Sequence, residues 1–208
     1  MVAIDPMTAR MFAHAPDGHT IGENRQMHMA VETGRWSRND LERMPDDGNR
    51  YEVVRGALFV TPPPSTRHEE LVYVIANHLR RYVDAVGIGQ VHSGKSAVVF
   101  DDSHAEPDIL VRKRAVPLPE TWDEMPMPVL VVEILSKSTR LRDAKEKRAL
   151  YLDAGIAEYW IVDGEARSIR VIRRDAEEVL RDALHWQPAG ATEPMMLDIA
   201  AMFSEALD

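Results

Sequence analysis

Two short apolar runs in this 208-residue chain each carry an acid that a core does not readily accept. Asp108 sits in Glu106-Pro-Asp-Ile-Leu-Val111. Glu133 sits alone in Val129-Leu-Val-Val-Glu-Ile-Leu135. Short, continuous apolar runs of this kind read as buried strands. An ionised carboxylate inside one is unfavourable unless it is paired, hydrogen-bonded or bound to a cation. Two of them in successive strands point to one divalent-metal site, because a hard cation takes oxygen ligands and manages with one or two protein carboxylates. The same residue types also suit structural ion pairs, with Asp108 capping a turn and Glu133 meeting a buried Arg or Lys.

The elements around these runs define the fold class. Ser37–Met44 is a short helix capped by Ser37, ended by the Asp46–Asn49 turn. Tyr51–Val60 reads as a hairpin folded about Arg55-Gly56. Thr66 and Glu69 fit a capping box. After them Leu71, Ile75, Leu79 and Val83 repeat every four residues as one helical stripe, which Gly87 and Gly89 end. Strands are expected at 96–100, 107–111 and 129–135, with a Pro-rich loop at 116–128. A second helix spans 140–154 and closes at Gly155. Strands at 158–163 and 168–173, a strand near Val179-Leu180 and a terminal helix at 199–207 complete the order. This is an α/β or α+β pattern: a mixed central sheet flanked by helices. Residues 1–35 lack periodicity and read as a flexible N-terminal arm, leaving 36–208 as a single domain with an acidic C-terminal extension.

Charge narrows the function classes. The formal net charge is −9, and residues 175–208 carry eight acids against one arginine. A globally acidic protein is a weak prior for nucleic-acid binding. Lys137, Arg140, Arg142, Lys145, Lys147 and Arg148 nevertheless form a local basic cluster, which suits either a phosphate-facing surface or a solvated helix face. No run approaches the roughly 18 apolar residues of a membrane span. The first residues lack the basic and apolar regions of a secretory signal. With no cysteine for disulfides, thiolate chemistry or thiolate metal sites, a cytoplasmic location is the expectation.

Lys147 falls on the apolar face of its helix, with Ala144, Leu150, Tyr151 and Ala154. A lysine there must snorkel or find an anion. Beside two carboxylates it can orient water or offset charge at a phosphate; otherwise it pairs with Asp143 one turn back. Glu52, in the first hairpin strand, is a candidate third carboxylate, and an exposed strand position is its plainer reading. His68, at the start of the first helix, can reach the same pocket or bond to backbone. No zinc-protease pair, glycine-rich phosphate loop or nucleophile elbow is present.

In order along the chain stand Tyr51-Glu-Val-Val-Arg-Gly56, Pro62-Pro-Pro-Ser-Thr-Arg-His68, Glu106-Pro-Asp108, Val131-Val-Glu-Ile-Leu-Ser136, Arg142-Asp-Ala-Lys-Glu-Lys-Arg-Ala-Leu-Tyr151 and Gly155-Ile-Ala-Glu-Tyr-Trp-Ile-Val-Asp163. The series resembles the Uma-two family of restriction-endonuclease-like proteins, in the PD-(D/E)XK nuclease superfamily. That resemblance implies a restriction-endonuclease-like core, with Asp108 as the motif aspartate and Glu133 as the (D/E), both holding Mg²⁺ or Mn²⁺. It implies Glu52 as the acid of the first core element. The superfamily's lysine would stand at position 135, where this chain has Leu135. The resemblance supplies Lys147 instead, with Lys137 as runner-up. The catalytic set is then Glu52, Asp108, Glu133 and Lys147, with His68, Lys137 and Tyr151 lining the substrate pocket.

The expected function is a metal-dependent endonuclease hydrolysing DNA phosphodiester bonds. A catalytically weak or inactive nuclease-fold protein with a regulatory or binding role is the alternative, and hydrolysis of another phosphate ester is a third. DNA and a second copy of the chain are the expected partners. The homodimer expectation rests on an edge strand at 168–173 and an apolar terminal segment that both need cover.

Overall fold

The computed structural model describes residues 30–33, 36–135 and 143–208. In chain order the strands are β1 (Ala30–Thr33), β2 (Arg50–Val54), β3 (Ala57–Thr61), β4 (Gln90–Ser93), β5 (Val98–Phe100), β6 (Ser103–Ala105), β7 (Ile109–Arg112), β8 (Leu130–Ile134), β9 (Glu158–Asp163), β10 (Ser168–Ile172), β11 (Glu177–Leu180), β12 (Ala183–Trp186) and β13 (Met195–Asp198). The α-helices are α1 (Thr66–Val86), α2 (Asp143–Asp153) and α3 (Ile199–Leu207). 3₁₀ helices lie at Arg38–Arg43 and Trp122–Glu124.

Three sheets form. One runs β1-β3-β2-β6-β5, the second β11-β10-β9-β8-β7-β4, and β12 pairs with β13. The six-stranded sheet is mixed: β8 and β9 are parallel, and its other pairs are antiparallel. Its alternation divides two cores. Ile109, Val111, Leu130, Val132, Trp160 and Val162 face α1, α3 and the β12–β13 hairpin. Leu110, Val131, Tyr159 and Ile161 face the other way, onto α2 and the five-stranded sheet. Glu133 belongs to this second face, since it alternates with Val132 and Ile134 and pairs in register with Ile161.

Local chemistry explains the elements that carry the site. Arg55 (φ 51°) and Gly56 (φ 84°) are both left-handed. Two such residues make the tight turn whose twist matches a hairpin, so β2 and β3 pair as expected. The cap of α1 is Ser65, not Thr66: its hydroxyl accepts from the His68 backbone at 3.3 Å. The helix therefore starts where His68 falls in its first turn. Helix α2 ends in a Schellman motif, with Ile156 N donating to Tyr151 O at 3.0 Å and Gly155 N to Leu152 O at 3.1 Å. Buried Ile156 locks that end against the second core.

Several expectations change. Residues 30–33, read as part of an arm, form strand β1 against β3; residues 1–29 lie outside the described residues. The acidic C-terminal stretch contributes Leu184, Trp186, Leu197, Met202 and Phe203 to the first core, because its acids alternate with inward apolar residues. The two features behind the homodimer expectation are both covered within the chain. β10 pairs with β11, and the apolar face of α3 is buried in the first core. Lys137 falls outside the described residues. Among the described residues, no helix is long and apolar enough to cross a membrane.

Candidate active site

The β7–β8 ladder aligns Ile109 with Val132. Continued by one residue, it sets Asp108 opposite Glu133. Opposed residues of an antiparallel pair have Cβ atoms about 5 Å apart, so both acids fall on one patch at the end of the sheet. Ile134 N donates to Asp108 Oδ2 at 2.8 Å and ties the two segments together.

Asp108 is almost fully buried and heavily bonded. Arg50 Nη1 donates to Oδ1 at 3.2 Å, and His68 Nε2 stands 3.2 Å from Oδ2. Burial pushes its pKa up, but the His68 hydrogen bond and the Arg50 charge outweigh that and hold it well below the usual carboxylate range. The same contact raises His68: burial opposes its charged form, and Asp108 more than compensates.

Glu52 comes from the other sheet. It is 1% exposed, and its Oε1 accepts from Lys147 Nζ at 2.8 Å and from Glu106 N at 2.7 Å. Burial acts to raise its pKa, but Lys147 and Arg50 hold it down. Lys147 also donates to Glu133 Oε1 at 3.0 Å. Its ammonium thus bridges the sheets. Burial disfavours its charge, yet Glu133 and Glu52 raise its pKa above the ordinary lysine value. Tyr151, one turn on, donates its hydroxyl to the same Glu133 oxygen at 2.8 Å.

Glu133 is the exception. Burial raises its pKa, Lys147 opposes, and the charges of Asp108 and Glu52 raise it further, so it ends above the usual value. Both hydrogen bonds that Glu133 makes among the described residues fall on Oε1.

A cleft of about 1580 Å³ opens over this cluster. Arg50, His68, Asp108, Glu133 and Lys147 lie on its wall, while the exposed Arg67 and Lys95 stand at its rim. Glu52 and Tyr151 do not line it. Glu52 is turned under Lys147 by the register of β2, and fully buried Tyr151 stands behind Glu133. Arg50 is the functional candidate that sequence reasoning missed. Period-two alternation along β2 puts residues 50 and 52 on one face, and this was the available signal.

The donor set suits a hard cation in part. Two carboxylates from opposed positions meet the minimum for Mg²⁺, which keeps several waters, and the cleft has room for water. Among the described residues, no three His, Asp or Glu side chains form a ready-made cage. Asp108 and Glu133 are the residues that would hold the ion.

The pKa directions fix an acid response. Asp108 and Glu52 sit below their unfolded values, so in acid the unfolded chain binds more protons than the folded one. Their stabilisation is present above about pH 4 and is lost as pH falls below it. Glu133, raised, has the opposite sign and gains on protonation. Urea midpoints are expected to fall below about pH 4, and to fall less steeply in Asp108→Asn. An unchanged acid slope in that variant would remove Asp108 from the account.

The family model described as "Uma2: Putative restriction endonuclease" matches residues 38–203. No curated protein matches the sequence. Among solved structures, the chain is similar to a protein from Anabaena variabilis described as "a putative nuclease belonging to DUF820". The TM-score is 0.70 at 22% identity, covering 83% of this chain and 99% of that one. At that identity the likeness speaks for the fold.

Proposed function

The chain belongs to the Uma2 family, and from that premise we propose that it is a metal-dependent endonuclease hydrolysing DNA phosphodiester bonds at the Asp108–Glu133 cluster. The observation that carries this reading is the opposition of two carboxylates, buried Asp108 and part-buried Glu133, where β7 and β8 meet the wall of a cleft, beside a buried lysine. Mg²⁺ or Mn²⁺, when bound there, supplies Lewis-acid polarisation of the phosphate and a more acidic water.

The chain's own residues do the rest. Lys147 stays protonated, because its pKa is raised, and acts by charge rather than as a base. Glu52 and Tyr151 act through others: Glu52 fixes the ammonium, and Tyr151 holds Glu133. The exposed charges of Arg67 and Lys95 at the rim suit a sugar–phosphate backbone, whatever the overall acidity. In hydrolysis a water oxygen bonds to phosphorus, one ester bond breaks, and the leaving oxygen departs as an alcohol after gaining a proton.

One observation favours the rival reading of a nuclease fold without turnover: Asp108 is already engaged by Arg50, His68 and Ile134 N. The deciding experiment is cleavage of single-stranded, duplex and nicked DNA with Mg²⁺ or Mn²⁺, for wild type, Asp108→Ala and Glu133→Ala. Wild-type cleavage that each substitution lowers by about 100-fold or more is expected. Activity that persists in both variants, or its absence from wild type, rejects this function.

A further inference from the structure

Arg50 leaves part of its guanidinium fork unmet. Its Nη1 donates to Glu106 O at 3.0 Å and to Asp108 Oδ1 at 3.2 Å. Its Nε is buried without a hydrogen-bond partner, 4.0 Å from Glu52 Oε2. A guanidinium offers five donors in a rigid fork that fits phosphate edge-on. A buried donor left unmet is unfavourable. The side chain is 28% exposed and lies on the cleft wall, so it has space to turn. It is the most exposed of the charged groups meeting here: Asp108, Lys147, Glu52 and Glu133 range from 1% to 12%.

Charge supplies the trigger. Glu52, Asp108 and Glu133 face the fixed cations Arg50 and Lys147, which leaves one negative charge when His68 is neutral. A divalent cation on Asp108 and Glu133 would turn that into one positive charge, and Asp108 would no longer need the guanidinium. One phosphodiester brings the sum to zero.

Resting on the function proposed above, we propose that Arg50 is a phosphate-contacting catalytic residue. It neutralises Asp108 until a divalent cation takes that carboxylate, and then turns its fork onto the substrate phosphate in the cleft. In this role it is an internal counter-ion exchanged for metal, and it couples metal loading to phosphate capture. No covalent bond is made or broken by Arg50 itself.

The test compares wild type, Arg50→Met and Arg50→Lys in three measurements. The first is Mn²⁺ affinity by calorimetry. The second is the affinity of a short oligothymidylate with and without Mn²⁺, which needs no turnover. The third is DNA cleavage. In Arg50→Met, Mn²⁺ should bind roughly threefold to tenfold more tightly, since a competing cation has left Asp108. The same variant should lose the Mn²⁺-induced gain in oligonucleotide affinity and cleave about 100-fold more slowly or worse. Arg50→Lys keeps the charge without the fork and should fall between. Weaker or unchanged Mn²⁺ binding in Arg50→Met overturns the exchange, and an unaltered Mn²⁺-induced gain overturns the phosphate contact. If Arg50→Met does not fold, Arg50→Lys carries the test alone, and a variant matching wild type in all three refutes the idea. A wild type that binds Mn²⁺ and oligonucleotide but never cleaves defeats the proposed function, while the two binding measurements still judge Arg50.

Discussion

Lys147→Met is expected to destabilise the domain by about 3–5 kcal/mol, the cost of leaving a buried charge without its partner. Glu52 is 1% exposed, and its remaining bond is to the Glu106 backbone. Methionine fills the lysine's volume, so the loss comes from charge more than from packing. A cycle isolates it. Glu52→Gln alone leaves Lys147 with Glu133 and should be less costly. The double variant should recover most of what Lys147→Met loses, because both ends of the buried pair are then neutral. Chemical denaturation of the four proteins measures the coupling. A loss below about 1 kcal/mol for Lys147→Met, the range of surface pairs, would show that Glu52 is not held ionised by this ammonium.

The elements that carry this cluster were legible in sequence to different degrees. Helix α1 and the central strands β8 and β9 stand out because burial on one stripe or on both faces leaves long apolar signatures. The same signature exposes Asp108 and Glu133, since an acid inside such a run lacks a local partner. Lys147 was visible as a charge on an apolar helix face. The missed strands are short or polar. Gln90-Val-His-Ser93 is an edge strand whose order comes from pairing with β7, and Ser103-His-Ala105 pairs with β2 only at Val53–His104. Pairing is a long-range fact that no local pattern encodes. The cap at Ser65 rather than Thr66 was a choice between adjacent hydroxyls, decided by which one reaches the His68 amide. Arg50 stayed hidden because a single arginine at a strand start looks like any solvated surface charge. Its meaning depends on Asp108, fifty-eight residues away.

Glu133→Gln is expected to cut metal-dependent cleavage by about 100-fold or more, yet to leave the fold as stable as wild type or more stable by roughly 0.5–2 kcal/mol. Glutamine keeps the shape and an acceptor for Lys147 and Tyr151, which both bond Oε1. What it removes is charge. Burial and the charges of Asp108 and Glu52 hold the Glu133 pKa above the ordinary value despite Lys147, so ionisation at this position is less favourable in the folded chain than in the unfolded one. Like charges on opposed strand positions are destabilising unless something sits between them. A structural ion pair would behave otherwise: neutralising one member should strand Lys147 and lower stability. The two measurements therefore separate the readings. Loss of cleavage with retained or increased stability means that Glu133 is kept ionised for a cation. A destabilised Glu133→Gln variant makes Glu133 part of the scaffold, and the metal must then be sought elsewhere in the cleft.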